Sequence, residues 1–208
     1  LLRLYDATSG QIKVNGTSIK DYDVRSLRKK FSVVFQDYNS YAFTIGENIC
    51  LRQVTETDVP SIDEALGICG LREKVQELPM GIFSNISREF EEDGVELSGG
   101  EYQRLALART FVSDAEVLVF DEANSSLDPI AEHDLNEQLM ASLDDKTVIF
   151  ITHRLSTTIM ADEIFMLENG SLVERGSHKE LLSLNGLYAD MFRKQARAYM
   201  SKGVDSIA

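Results

Sequence analysis

Hydrophobic and polar residues follow two different spacings along this chain. Largely apolar segments of strand length lie at residues 31–35, 116–120 and 147–151. In the window 130–143 the leucines instead recur every four positions, which is the spacing of one helix face. Strands that alternate with helices in this way predict an α/β fold, in which a mostly parallel sheet is covered by helices on both faces.

Turn and cap signals complete this pattern. Asn15-Gly16 follows the strand candidate Gln11–Val14 and is a strong turn signal, and Asn169-Gly170 lies between Ile164–Leu167 and Ser171–Glu174, so it predicts a hairpin. Ser98 is expected to begin a helix that ends near Val112, because a serine hydroxyl accepts a hydrogen bond from the first helical turn. Other helices are expected near 45–51, 58–70, 155–160, 178–184 and 187–199, and residues 1–5 are expected to be the end of a helix.

The composition is that of a globular protein. Of 208 residues, 43% are hydrophobic and 26% are charged, and no apolar run approaches the roughly 18 residues needed to span a bilayer. The net charge of −13 opposes binding to the phosphates of nucleic acids, so nucleic acid is not an expected partner. Cys50 and Cys69 fit no metal or redox spacing and are expected to be buried thiols.

Two carboxylates, Asp121 and Glu122, follow the apolar run Val117–Phe120. This places them at the carboxyl end of a buried strand, which is where open α/β sheets bind their ligands. There Asp121 would hold Mg²⁺, in part through water, and Glu122 would orient or deprotonate an attacking water. Taken alone, two adjacent acids at a strand end are also common as plain surface residues.

The stretch Leu97-Ser98-Gly99-Gly100-Glu101 opens the helix that is expected after residue 98. A helix N-terminus offers unpaired N–H groups and the positive end of the helix dipole, which suit a phosphate. Glycine lets a phosphate come close to these groups because it has no side chain. Together with the two carboxylates, this stretch predicts a nucleotide-hydrolysing site, whereas Ser-Gly-Gly alone is typical of any capped helix.

These motifs resemble those of the nucleotide-binding domain of ABC transporters, and the resemblance covers the whole chain. Leu97–Glu101 looks like the family's signature motif, with Glu101 where glutamine is commoner, and Val117–Glu122 looks like the Walker B strand followed by the catalytic glutamate. Ser125–Asp128 matches the D-loop, with Ser126 where alanine is commoner. The resemblance implies a P-loop NTPase core with an inserted helical subdomain, with ATP and Mg²⁺ as its ligands and ATP hydrolysis as the activity of the intact protein.

Further site residues are implied by the same resemblance. Gln36 matches the Q-loop glutamine, which touches Mg²⁺ and reports to the membrane domain, and His153 matches the switch histidine, which contacts the γ-phosphate. The implied nucleotide-binding set is Gln36, Ser98, Gly99, Gly100, Glu101 and Asp128, the metal-binding set is Gln36 and Asp121, and the catalytic set is Glu122 and His153.

A phosphate loop of the form Gly-x-x-x-x-Gly-Lys-Ser/Thr does not occur in the sequence. Leu1–Leu4 resembles the helix that directly follows that loop. We therefore expect a fragment cut just after its phosphate loop, without the N-terminal strands of the core and inactive alone. Residues 1–49 and 110–200 are expected to form the catalytic core, 50–109 the helical subdomain that carries the signature motif, and 201–208 a frayed tail.

Partners and location follow from the resemblance as expectations. Two nucleotide-binding domains, identical or different, would close head to tail over ATP and drive a transmembrane permease domain of the same full-length chain, at the cytoplasmic face of the cell membrane. Thr44–Ile49 and His153–Thr157 look like those of exporters, and residues 88–94, with Glu92, occupy the place of an exporter-specific acidic loop.

The exporter interpretation has alternatives within the family. An importer-type ATPase and a non-catalytic regulatory half of an asymmetric pair remain alternatives. DNA-repair ATPases of this family insert a long coiled coil between the glutamine and the signature, and the spacing from Gln36 to Ser98 is too short for one.

The segment Asp37–Phe43 directly follows Gln36 and carries three aromatic residues, Tyr38, Tyr41 and Phe43. Aromatic side chains beside a mobile loop suit a docking surface for a helix of the membrane domain. The alternative is that they pack within the helical subdomain.

Overall fold

The computed structural model describes residues 1–37, 39–87, 94–122, 129–143 and 145–204. They fall into two compact units, of which the first is Leu1–Ile151 and the second begins at Thr152. Each unit has its own apolar core, so each is described separately.

The first unit contains strands and helices in the alternating order of an α/β fold. Its strands are β1 (Lys13–Val14), β2 (Thr17–Ser18), β3 (Phe31–Val34), β4 (Val117–Asp121) and β5 (Thr147–Ile151). Its helices are α1 (Val24–Lys29), α2 (Ile45–Cys50), α3 (Val59–Ile68), α4 (Arg72–Gln76), α5 (Gly99–Phe111) and α6 (Pro129–Ala141), with 3-10 turns at Glu56–Asp58 and Gly81–Phe83.

The central sheet of this unit is parallel, and β4 lies between β3 and β5. Successive side chains of a strand point to opposite faces. Accordingly Leu118 and Phe120 lie in the larger apolar core, whereas Val119 lies with Leu27 in a smaller core. Apolar packing therefore covers both faces of β4, and the predicted α/β class with a mostly parallel sheet flanked by helices is confirmed.

Helix α5 supplies much of the larger core. It begins after Ser98, as predicted, and buries Leu105, Ala106, Leu107 and Ala108. A fully buried leucine contributes about 1.5–3 kcal/mol to stability. The two alanines have small side chains, so neighbouring elements can pack closely against the helix. The helix packs against α2, α3 and β3, so its N-terminus has a fixed place relative to the sheet.

Helices also occupy most of the region 50–109, as its pattern predicts. They share one apolar core with β3 and β4, and the boundaries proposed for a separate subdomain stay a prediction. Cys69 is buried, which raises the pKa of its thiol to about 12 and makes it unreactive at neutral pH. Cys50 is only half-buried, so the prediction of two buried thiols was correct for Cys69 alone.

The first five residues are not helical, which corrects the expectation for Leu1–Tyr5. Arg3 has a φ of 52°, a left-handed conformation that cannot continue an α-helix. Its side chain instead bonds the carboxylate of Asp6 and the carbonyl of Lys20. A helical turn this short gains too few hydrogen bonds to form by itself, so these tertiary contacts decide the conformation.

The described part of the second unit, residues 152–204, consists of a hairpin and three helices. Its elements are α7 (Leu155–Thr158), β6 (Ile164–Glu168), β7 (Ser171–Gly176), α8 (His178–Leu184) and α9 (Leu187–Val204). Asn169-Gly170 forms the predicted turn, with both residues at positive φ. Helix α9 continues to Val204, beyond Tyr199, where the sequence pattern had placed its end. Among the described residues of both units, no helix is long and apolar enough to cross a membrane.

Candidate active site

The carboxyl edge of the parallel sheet carries three of the predicted site residues. Because β3 and β4 are adjacent and parallel, Gln36, which follows β3, comes close to the end of β4. Asp121 is the last residue of β4, and Glu122 is next. The side-chain Nε2 of Gln36 donates a hydrogen bond of 2.8 Å to Oε2 of Glu122. Two predicted site residues that are 86 positions apart in sequence are thus in direct contact.

The backbone of Glu122 is strained. Its φ of 48° is left-handed, which costs a non-glycine residue about 1–3 kcal/mol. Its N–H donates to the carbonyl of Ile151, the last residue of β5, at 2.9 Å, and this bond helps to hold the conformation. Strain of this kind clusters at functional sites, where the surrounding structure maintains it. Other described non-glycine residues, such as Arg3 and Leu51, also have a positive φ, so the strain marks Glu122 only together with its bond to Gln36 at the sheet edge.

A cleft of about 360 Å³ lies beside Asp121. Its described lining includes the apolar residues Val33, Phe35 and Ile151, and Asp121 is the one carboxylate among these lining residues. Among all described residues, no group of three His, Cys, Asp or Glu side chains could hold a metal ion. A single carboxylate fits Mg²⁺, which takes few protein ligands and fills its shell with phosphates and water.

The signature stretch forms a capped helix start. The backbone N–H of Ser98 donates to Oε2 of Glu101 at 2.7 Å, and the hydroxyl of Ser98 accepts from the N–H of Glu101 at 3.3 Å. These two bonds form a capping box. The hydrogen bond from the Ser98 backbone lowers the pKa of the Glu101 carboxyl, and Lys74 lies 3.9 Å from its other oxygen. The carboxylate of Glu101 is therefore bound to its own helix start.

Gly99 is not explained by packing within the described chain. A β-carbon added to it would meet no atom within 4 Å outside its immediate neighbours. Its φ is not in the left-handed region either, so the backbone conformation alone would accept a side chain. Since no described atom lies where a β-carbon of Gly99 would be, the backbone at this helix N-terminus suits the close approach of a phosphate.

His153 lies in the second unit, directly before α7. Its main-chain carbonyl accepts a hydrogen bond of 2.6 Å from Nε2 of Gln195. The other end of the same amide, Oε1 of Gln195, accepts from the N–H of Leu155 at 3.0 Å. The side chain of Gln195, on α9, therefore holds the backbone on both sides of Arg154. Sequence reasoning missed Gln195, because one glutamine in a polar helix gives no signal.

Other predictions fall outside the described residues. These are Asp128 with the rest of the D-loop, Tyr38 in the aromatic segment, and Glu92 in the acidic loop. The other two aromatic residues, Tyr41 and Phe43, have stacked rings with centroids 6.2 Å apart. They are 46% and 58% exposed, and they line a groove of about 430 Å³ together with Leu51 and Arg52.

Two further residues that the sequence did not single out hold the aromatic segment in place. The side chain of Asn48 is fully buried and bonds both the N–H and the carbonyl of Tyr41, each at 2.9 Å. Arg109, in the last turn of α5, donates to the carbonyls of Asn39 and Asn48. In the sequence, Asn48 and Arg109 look like ordinary helix residues. Only the fold brings them into contact with this segment.

The known proteins that are similar to this chain agree with one another in type. A family model described as ABC transporter matches residues 1–125. An ATP-binding/permease protein of Staphylococcus aureus named for multidrug export is 39% identical over 193 residues, which are 93% of this chain and 32% of that protein. An ATP-dependent lipid A-core flippase of Coxiella burnetii is 40% identical over 195 residues, which are 94% of this chain and 32% of the flippase.

A solved structure is similar over nearly the same extent. The structure of a bacterial Atm1-family ABC exporter with ATP bound has a TM-score of 0.83 and 38% identity, over 94% of this chain and 34% of that one. The chain therefore spans about a third of the length of the relatives that it matches.

Proposed function

The chain belongs to the ABC transporter family, and from this premise we propose that it is the ATP-binding and ATP-hydrolysing domain of an exporter. The family is one of nucleotide-binding proteins. The observation that carries the proposal is the contact between Gln36 and Glu122 beside Asp121, at the carboxyl edge of the parallel sheet. Open α/β sheets bind their ligands at this edge.

Hydrolysis needs a water that is oriented and deprotonated. Glu122 is the group proposed for this step, since its carboxylate can accept the proton as water attacks the γ-phosphorus. The bond from the γ-phosphorus to the bridging oxygen breaks, and ADP leaves with the electron pair. The hydrogen bond from Gln36 to Oε2 of Glu122 helps to hold this carboxylate at the end of β4. His153 is proposed to donate a hydrogen bond to the γ-phosphate.

Mg²⁺ is proposed as the cofactor, with Asp121 and the amide oxygen of Gln36 as its protein ligands. When bound, it would offset negative charge on the phosphates. In the metal-bound site Gln36 would serve two groups, because its amide nitrogen bonds Glu122 while its oxygen faces the metal. A rotation of Gln36 would then disturb the metal ligand and the catalytic carboxylate together.

A second nucleotide-binding domain is the proposed partner at the signature motif. Ser98, Gly99 and Gly100 would contact the γ-phosphate of ATP that the partner domain holds. In support, no described atom lies where a β-carbon of Gly99 would be. Glu101 would fix the main chain of Ser98 through the capping box. Asp128, in the D-loop, is proposed to contribute to the same nucleotide-bound interface.

The relatives support the exporter type, since they are named for multidrug export, for lipid A-core flipping and as an Atm1-family exporter. The name of the Staphylococcus aureus protein also includes a permease. We therefore propose a transmembrane domain in the intact protein, with this domain at the cytoplasmic face of the membrane. The groove at Tyr41 and Phe43 is the proposed docking surface for a helix of that domain.

The activity is tested on the intact protein reconstituted in lipid vesicles. We expect phosphate release from ATP that stops when magnesium is chelated and returns when it is restored. ATP should also bring two signature motifs into cross-linking distance of each other's nucleotide. Binding of ATP with no release of phosphate would instead favour the non-catalytic half of an asymmetric pair, and ATP-driven uptake in the opposite direction would favour an importer.

The docking surface has its own test. The double change Tyr41→Ala with Phe43→Ala should leave basal ATP turnover nearly unchanged and reduce transport, because the apolar contact with the permease is lost. Phe165→Ala removes an aromatic ring of similar exposure from the second unit and serves as the control. A fall in melting temperature with equal loss of both activities would instead assign the two rings to packing.

A further inference from the structure

Arg109 occupies an unusual place for a charged residue. It lies in the last turn of α5 and is half-buried. Its Nε donates to the carbonyl of Asn48 at 2.8 Å, and its Nη2 donates to the carbonyl of Asn39 at 2.7 Å. These acceptors lie 61 and 70 positions earlier in the sequence. The guanidinium therefore ties the end of α5 to a loop and to a second helix.

The charge of Arg109 is balanced by carbonyl dipoles and an aromatic ring. Its guanidinium carbon lies 5.9 Å from the centre of the Tyr41 ring. No described carboxylate forms an ion pair with it, and burial lowers the pKa of the guanidinium. An arginine stays charged even so, and a partly buried charge is costly unless its donors are satisfied. The carbonyls of Asn39 and Asn48 thus hold the guanidinium of Arg109, and the guanidinium in turn holds these two carbonyls in place.

Asn48 holds the same segment from the other side. Its amide nitrogen donates to the carbonyls of Tyr41 and Thr44, and its amide oxygen accepts from the N–H of Tyr41. Since Arg109 bonds the main-chain carbonyl of Asn48 itself, these side chains form one connected network around residues 39–44. A movement of α5 along or about its axis would therefore move this segment.

The two ends of α5 serve different places. Its N-terminus carries Ser98 and the signature glycines, and its 13 residues make it about 20 Å long. At its other end, Arg109 bonds Asn39, which is three positions after Gln36 and two before the exposed ring of Tyr41. One helix therefore spans from the proposed phosphate contact to the loop between the catalytic edge and the docking groove.

We propose that Arg109 is a positioning residue that transmits the state of the signature helix to residues 39–44. It touches neither nucleotide nor metal and acts through main-chain carbonyls. The proposal rests on the proposed function, since it assigns a route between the phosphate contact of α5 and the docking surface at Tyr41 and Phe43. A purely structural role would stabilise the unit without making residues 39–44 respond to ATP.

The test is amide hydrogen exchange on the intact protein, with Glu122→Gln present in every sample so that bound ATP persists. Exchange is measured with and without ATP and magnesium, at the first turn of α5 and across residues 39–44. Arg109→Met keeps the apolar stem and removes the donors, and Arg109→Lys keeps the charge but cannot bond two carbonyls in the same planar way. Arg104→Met is the matched control, because Arg104 lies on the same helix and bonds the carbonyl of Gly70 instead.

In the parent protein ATP should slow exchange at both places. In Arg109→Met the response at the first turn of α5 should remain, whereas the response across 39–44 should fall by about fivefold or more, a typical size for coupling between two sites. Arg109→Lys should lose nearly as much of the response, and Arg104→Met should keep both. This separation does not depend on stability, because each variant is compared with itself with and without ATP.

Two results would overturn the inference, and they are distinguishable from failure of the proposed function. If Arg109→Met and Arg109→Lys both retain the full ATP response across 39–44, Arg109 does not transmit it. If Arg109→Met loses the response at both places, Arg109 acts on the whole unit and the coupling role is wrong. Absence of any ATP response in the parent would contradict the proposed function itself. If Arg109→Met fails to fold, Arg109→Lys decides the matter by the same comparison.

Discussion

The signature end of α5 and the carboxyl edge of the sheet are built by different means. At the signature end, the hydrogen bonds between Ser98 and Glu101 join residues three positions apart, and the capping box is complete within one turn. At the sheet edge, Gln36 meets Glu122 across 86 positions, and β5 supplies the carbonyl that holds the strained Glu122 backbone. Local chemistry fixes the first site, whereas the register of parallel strands fixes the second.

The capping box at Ser98 has a counterpart in the second unit. Ser177 and Glu180 form the same pair of bonds at the start of α8. The next two residues there are His178 and Lys179, whereas two glycines follow Ser98. The box stabilises a helix start in both places, and the proposed phosphate contact rests on the glycines after Ser98 and not on the box. The comparison separates the helix cap from the proposed phosphate contact.

The largest effect is expected at the sheet edge. In the intact protein, Glu122→Gln should reduce ATP turnover by roughly 10²–10⁴-fold while ATP binding persists, since an amide keeps the shape but cannot accept the proton. Glu116→Gln is the matched control. Glu116 lies at the other end of β4, where it pairs with Lys30, so its turnover should stay close to that of the parent. Equal losses in the two variants would contradict the role given to Glu122.

The second-largest effect is expected from breaking the hydrogen bond between Gln36 and Glu122. Gln36→Glu would place two carboxylates within hydrogen-bonding distance, which raises the pKa of one of them. A base with a raised pKa works only at higher pH, so turnover should fall about tenfold or more near neutral pH and recover partly as the pH rises. Gln36→Met removes the bond without adding charge and should give a lower rate with an unshifted pH profile. Turnover measured from pH 6 to 9 distinguishes the two.

A smaller effect is expected from losing the two hydrogen bonds by which Gln195 holds the backbone at His153 and Leu155. Gln195→Leu removes both hydrogen bonds to the backbone at His153 and Leu155, so the histidine should be held less well. We expect turnover to fall by about three- to tenfold, which is less than loss of a general acid or base contributes. The KM for ATP should change little. Lys194→Leu, one position earlier on the same exposed stretch of α9, should have no effect, and a similar loss there would indicate general damage to α9.

The smallest effects concern the helix caps. Ser98→Ala and Ser177→Ala should each lower the free energy of unfolding by about 1 kcal/mol, the usual cost of losing a cap. If the glycines after Ser98 mark a ligand site, only Ser98→Ala should also weaken ATP-dependent association of two domains. Association measured by cross-linking, with melting temperature as the check on stability, compares the two. Equal association would remove the distinction drawn between the two boxes.

The pH dependence of stability sharpens the same point. The pKa of Glu101 is lowered in the folded protein, so its contribution to stability is present above the pKa of about 4.3 in the unfolded chain and is lost as the pH falls through the lower folded value. Glu101→Gln lacks this titration. The difference in melting temperature between the parent and the variant should therefore shrink as the pH is lowered from about 5 to 3. A difference that is constant over this range would mean that Glu101 is not bound to the helix start.

The type of an element could be predicted wherever the residues of that segment alone determine its structure. The runs 31–35, 116–120 and 147–151 became β3, β4 and β5, and Ser98 begins α5 as expected. The errors lie where tertiary contacts compete with a short pattern. Leu1–Tyr5 is not helical because Arg3 bonds elsewhere, α9 runs past its predicted end, and Cys50 is more exposed than its apolar surroundings implied.

The sequence by itself determined the fold class, the family and the capping box at Ser98, because periodicity, turn signals and bonds within one turn depend only on near neighbours. Only the tertiary structure decided that Gln36 touches Glu122, that Gln195 holds the backbone of His153, and that Arg109 reaches Asn39. In each of these pairs the partner lies more than 40 positions away. A polar side chain gives no sign of such a partner, because the packing of sheets and helices alone sets which distant atoms come within hydrogen-bonding distance.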